Sequence, residues 1–279
     1  MSNNGDYYSY IYIPVKCNKN IKKKCEFCFG LLHKLLEKQL SINTNDNDLS
    51  NSQNKKKEKE NEIKKHIFYQ LHKLNDDQIR YKQTSQNNSM DMLHITIADS
   101  LKIKRHMIEP FIEKIRETLK TQKCFYLFFK NTVDLYKSQK NSKYFCAYSV
   151  KEEDQKIHLN SIMEKINSIL TNFGLCDIFS TNRTCHMSLA YTNISLDALI
   201  QNNNLNINDN IWFDINKIIN NNNDKAQNEA NDSNEFYIYV NSISIRVGNQ
   251  IYEIPFNTIG GYSYELYTDD SYNSSSSSE

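Results

Sequence analysis

Two short stretches of the chain place an imidazole and a hydroxyl two residues apart inside an apolar run. They are His94 and Thr96 in DMLHITIADS, and His186 and Ser188 in RTCHMSLAYTN. Residues i and i+2 of a strand share a face. Read as strands, both stretches present His and hydroxyl side by side, with Ile95 and Met187 turned to the packed side. One such match is close to chance in a chain with seven histidines. Two, each opening a similar run (HITIA, HMSLA), form a matched set. The plain alternative is a pair of core histidines satisfied by neighbouring backbone. The chemical reading is cleavage of an RNA phosphodiester by its own 2′-hydroxyl. That reaction needs a base for the 2′ proton and an acid for the departing 5′-oxygen. Imidazole, with a reference pKa of about 6.5, serves either role. The hydroxyls of Thr96 and Ser188 would hydrogen-bond the non-bridging phosphate oxygens. No dense Asp/Glu/His cluster with metal-ligand spacing accompanies the motifs, so the expected mechanism uses neither metal nor cofactor. Spacing leaves open which histidine is base and which is acid.

Other elements must position these strands. Residues 8–15 alternate apolar and polar and read as a strand. Leu31, Leu32, Leu35 and Leu36 give a helix over 25–40, and Ile63, Ile67, Leu71 and Leu74 give another over 61–74, with His66 and His72 off its stripe. The first motif is a strand over 92–99. A helix over 106–120 follows, with Pro110 near its first turn, where proline is tolerated. Strands are expected at 123–130, 132–138 and 143–150. A long helix over 154–171 turns Ile157, Ile162, Ile166 and Ile169 inward and ends before Gly174. After the second motif, residues 236–256 read as strands with a hairpin at Gly248 and Asn249. The mixed order, without a uniform βα repeat, points to an α+β fold with antiparallel sheets and helices packed on one side.

The chain has 279 residues and a net charge of +1, with a mean hydropathy of −0.69. Bulk electrostatics therefore do not drive nucleic-acid binding, although an enzyme gripping one RNA end needs few phosphate contacts. Polar residues concentrate in 41–61, 201–210, 220–234 and a tail at 263–279. These segments cannot bury apolar surface and are expected to be disordered insertions and a tail. They interrupt a single domain over 7–262, with an extra helix at 62–75 after the first insertion. No membrane-length apolar run or signal-peptide core is visible, so a soluble intracellular protein is expected. Seven cysteines without a secretory signal read as reduced thiols. Cys25 and Cys28 form a CxxC with Cys17 and His33 nearby, but a second spaced pair is missing. Small apolar side chains around a helix start are the simpler reading.

Taken with YIYIPV, LHITIADSLKIKRHMIEPFIEKI, FYLFFKNTVDLYKSQKNSKYFCAYSV, NSILTNFGLCDIF and IRVGNQIYEIPF, the paired motifs resemble the 2H phosphoesterase superfamily. Within it they are most similar to the U6 snRNA 3′-phosphodiesterase branch, the Usb1/Mpn1-type exoribonucleases. The resemblance implies a two-lobed LigT-like fold with pseudo-two-fold symmetry, a central cleft and helices outside. It implies a 3′→5′ exonuclease that trims the oligo(U) end of U6 snRNA in the nucleus and leaves a 2′,3′-cyclic phosphate, open in some members to a monophosphate. A monomer with an RNA 3′ end as partner is expected. His94 and His186 become the catalytic pair, and Thr96 and Ser188 the phosphate-binding hydroxyls. Phe179 corresponds to an aromatic that stacks on the terminal base, and Gln139 to a base-contacting position. Tyr191 stands where relatives often carry Trp, as a third base-binding candidate. Lys102, Lys104, Arg105 and Arg183 could meet phosphates or be solvated charges. Two alternatives remain: a 2H cyclic phosphodiesterase for small nucleotides or tRNA ends, and a non-catalytic RNA-end-binding module.

Overall fold

A computed structural model describes residues 5–43, 60–69, 93–138, 142–175, 183–205, 212–215, 218 and 235–257. Ten strands appear among them: β1 (Asp6–Val15), β2 (Ile67–Tyr69), β3 (Leu93–Lys104), β4 (Phe125–Lys137), β5 (Tyr144–Val150), β6 (His186–Thr192), β7 (Trp212–Asp214), β8 (Tyr237–Val240), β9 (Ser242–Val247) and β10 (Gln250–Pro255). The main sheet runs β10-β9-β1-β3-β6-β5-β4-β7, with β2 on β6 and β8 on β4. All these strand pairs are antiparallel. Four strands of the main path thus lie on either side of the β3–β6 junction, which gives the two lobes. The fold is the expected α+β architecture, with the two lobes joined edge to edge through β3 and β6 rather than as separate sheets.

The helices cover the sheet by burying apolar stripes. In α1 (Lys19–Asn43), Ile21, Cys25, Cys28, Leu32, Leu35 and Leu36 recur at helical spacing and are all buried. Its start is fixed by Asn18, whose Oδ1 accepts the Ile21 N–H at 2.9 Å. The helix packs on β2, β5 and β6. Cys25 and Cys28 are therefore core side chains, and burial pushes the Cys25 thiol up to about 12. In α2 (Ile108–Leu119), Phe111, Ile112, Ile115 and Leu119 face inward. In α3 (Asn160–Asn172), Ile162, Met163, Ile166, Ile169 and Leu170 do so. A T-shaped contact at 5.4 Å between Phe111 and Phe173 joins the two. The short α4 (Asp197–Asn202) packs against α1. Gly174 closes α3 at φ +63°, as its position past the helix end implies.

Four expectations change. Residues 60–64 are helical, but a turn follows and Ile67–Tyr69 is a strand on the edge of β6, so the helix expected over 62–75 does not continue through them. Residues 70–92 lie outside the described part. The strands expected at 123–130 and 132–138 are one strand, β4, with a register shift between Phe129 and Val133. Its first half pairs with β8 and its second with β5 and β7. Ile157 is 68% exposed rather than inward. It falls in a π turn, Gln155–Leu159, whose extra residue rotates the stripe and puts Leu159 into the core. Finally, α1 reaches Asn43 and α4 reaches Asn202, so ordered helix enters the margins of the polar segments at 41–61 and 201–210.

Candidate active site

β3 and β6 meet with Ile95 opposite Met187, both fully buried. In an antiparallel pair this register fixes the neighbours on the other face. His94 falls beside Ser188, and Thr96 beside His186. The local two-fold of the pair exchanges His94 with His186 and Thr96 with Ser188. The two motifs are thus one patch, with imidazoles on one diagonal and hydroxyls on the other. Diagonal neighbours stand roughly 7–8 Å apart, which leaves room for one phosphate between the rings. All four side chains are partly exposed.

The row continues on both sides. Tyr12 on β1 pairs with Thr96, and its ring meets His94 edge-on at 5.7 Å. On β5, Ser149 pairs with His186, and its hydroxyl donates to Asp134 Oδ2 at 2.6 Å. Trp212 lies three strands from β6 along the sheet, yet its ring reaches His186 edge-on at 4.7 Å. The Tyr136 ring lies 5.0 Å from His186. Side chains from separated strands can converge in this way only on a concave face, so the patch is the floor of a cleft.

His186 Nδ1 lies 3.1 Å from the Thr184 carbonyl oxygen. A carbonyl can only accept, so Nδ1 carries a proton and Nε2 is left for the cleft. Burial lowers the pKa of His94 to about 4, with the Asp99 carboxylate opposing. Burial also lowers His186 to about 4; the Thr184 carbonyl opposes, while Arg183 and His94 add to the effect. Both rings are therefore neutral at neutral pH in the ligand-free protein, and a bound phosphate would raise both.

The structure brings together His94, Thr96, His186 and Ser188. Tyr191 also reaches the cleft face, through a bulge. Ser188 pairs with Ala147 and Ala190 with Cys146, so Leu189 is the extra residue of β6. The bulge reverses the alternation and turns Tyr191 to the same face as Ser188. Gln139 and Phe179 lie outside the described residues. Lys102, Lys104 and Arg105 are exposed at and just beyond the end of β3, with the Lys102 ammonium 5.5 Å above the Tyr8 ring. Arg183 precedes β6 and acts on His186. Among the described residues, no group of three or more His, Cys, Asp and Glu could hold a metal ion. Sequence reasoning missed Tyr12, Tyr136 and Trp212. The one available signal was that Trp212 is the single tryptophan of the chain.

A family model described as "HVSL: Uncharacterised conserved protein" matches residues 2–255. Among solved structures, the chain is similar to Kluyveromyces marxianus Usb1, with 11% identity, a TM-score of 0.53, and coverage of 89% of this chain and 97% of that one. It is also similar to the same K. marxianus protein with uridine monophosphate, with 12% identity, a TM-score of 0.51 and the same coverage, 89% and 97%. No curated protein matches the chain.

Proposed function

The chain belongs to the HVSL family, the Usb1-type branch of the 2H phosphoesterases, and on that premise we propose that it is a metal-independent phosphodiesterase that trims nucleotides from an RNA 3′ end, with the oligo(U) end of U6 snRNA in the nucleus as its substrate. The observation that carries the reading is the four-residue patch at the β3–β6 junction, where each imidazole lies beside a hydroxyl. The terminal phosphate sits between the rings, with Thr96 and Ser188 donating to its non-bridging oxygens.

The 2′-hydroxyl of the penultimate nucleotide attacks phosphorus as the bond to the terminal 5′-oxygen breaks. His186 is the better base. Its Nδ1 proton is held by Thr184, and both Arg183 and His94 oppose a second proton. His94 is the better acid, because Asp99 favours its charged form. With the phosphate bound, which favours its charged form, His94 enters the step protonated; His186 Nε2 takes the 2′ proton and the His94 imidazolium gives one to the 5′-oxygen, so that charge and protons balance without water. The products are an RNA ending in a 2′,3′-cyclic phosphate and a free nucleoside. The same groups in exchanged roles, with water as nucleophile, would open the ring to a 3′-phosphate. The K. marxianus protein is seen with uridine monophosphate, which supports uridine as the terminal residue.

The test is a uridine-tailed RNA incubated in EDTA, with mass spectrometry of the new 3′ end. The wild type is expected to shorten the RNA and leave a cyclic phosphate or a monophosphate. His94→Ala and His186→Ala should each lose about 10²–10⁴ in rate. Cleavage that stops in EDTA, or that survives either substitution at near-normal rate, counts against the reading.

A further inference from the structure

Five aromatic side chains form a single row across the lobe that carries His186. Phe68 on β2 pairs with Tyr191 on β6, Tyr191 with Phe145 on β5, Phe145 with Tyr136 on β4, and Tyr136 with Trp212 on β7. Successive ring centroids lie 5.1, 5.5, 6.1 and 4.9 Å apart. The row exists because of the bulge at Leu189; without it Tyr191 would point into the core and break the series. On the opposite face, Leu135, Cys146 and Ala190 are fully buried, while all five aromatic residues remain partly exposed. At one end Tyr136 and Trp212 touch His186. Towards the other end, the Lys143 ammonium stands 4.5 Å over the Tyr191 ring.

We propose that this row is a stacking platform for single-stranded RNA, taking the bases of nucleotides beyond the one whose phosphate is cleaved. The proposal rests on the RNA-cleaving reading above and specifies how much of the RNA the protein holds. Three observations select nucleobases as the occupant. The row is continuous with the site that handles the phosphate, so a strand leaving that site meets the rings next. Its rings form one continuous, partly exposed aromatic strip, and stacking on aromatic side chains tolerates any base. The Lys143 ammonium over the Tyr191 ring puts a cation beside the strip, as the phosphates of a bound strand require.

Steady-state kinetics on a uridine dinucleotide and a uridine hexanucleotide test the platform. The hexanucleotide should show a KM about tenfold or more below that of the dinucleotide. Phe68→Leu and Lys143→Gln, both remote from the histidines in the row, should collapse that ratio toward one. Removing the upstream bases as abasic sites should cost affinity in the wild type and add little in Phe68→Leu. Equal KM values for the two lengths, or a variant that weakens both substrates alike, would overturn the platform. Anisotropy with a labelled 2′-deoxyuridine hexanucleotide, which lacks the nucleophile, separates the two claims. Binding that depends on Phe68 in the absence of any RNA cleavage would support the platform and sink the proposed reaction. Absence of Phe68-dependent binding would sink the platform whatever the cleavage result.

Discussion

The carbonyl of Thr184 decides how His186 can act, because it holds the proton of Nδ1 and leaves Nε2 as the working nitrogen. A ring fixed in this way is ready to accept a proton but reluctant to hold two. Burial enforces the same state on both histidines, each lowered to about 4. In the unfolded chain each would return to about 6.5. Between those values the unfolded chain binds protons that the folded chain does not. The histidine contribution to stability is therefore complete above about pH 6.5 and is lost as the pH falls toward 4. A phosphate between the rings works in the opposite direction by favouring their charged forms. NMR titration of the ring signals checks both effects. In the free protein, the His94 and His186 midpoints should lie near pH 4. Uridine 3′-monophosphate should raise at least one of them by about a unit or more. Midpoints near 6.5 that ignore the nucleotide would contradict the buried, phosphate-responsive pair.

At the scale of elements, strand alternation made the four-residue patch legible: His94, Thr96, His186 and Ser188 stand on one face as their i, i+2 spacing requires. The cross-strand register, Ile95 against Met187, was not legible, since no local signal sets which residue meets which across lobes. Irregularities set the rest. The π turn at Gln155–Leu159 moved Ile157 out of the core, and the bulge at Leu189 put Tyr191, a candidate from the resemblance alone, on the cleft face, which plain alternation would not have done. Ile63 and Ile67 are both buried, as a helical stripe implied, but one comes from a helical turn and the other from a strand. A spacing of four residues fits either arrangement. Trp212 enters the site through a three-residue strand, too short for periodicity to reveal. The element packing also yields a test. Gln39 on α1 is 4% exposed, and its Oε1 accepts the N–H of Leu199 on α4 at 2.9 Å. Gln39→Leu keeps an apolar volume but leaves that buried N–H unpaired. The substitution should cost about 1–3 kcal/mol in urea unfolding, and no loss would show that the contact is replaceable.

Across the whole molecule, the antiparallel β3–β6 pair acts as a symmetry element. Each lobe contributes one histidine and one hydroxyl to a shared floor, so neither lobe holds a complete site. This arrangement suits a reaction that needs a base and an acid on opposite sides of one phosphorus. No helix among the described residues is long and apolar enough to cross a membrane. The central claim is that the RNA supplies its own nucleophile to this two-fold site. It is tested most directly by RNA cleavage in EDTA with single 2′-deoxy substitutions. A deoxy sugar at the penultimate nucleotide should abolish the first cut, and a deoxy sugar at the terminal nucleotide alone should leave it intact. A first cut that proceeds regardless of the penultimate 2′-hydroxyl would show that water, not the RNA, attacks, and would contradict the account.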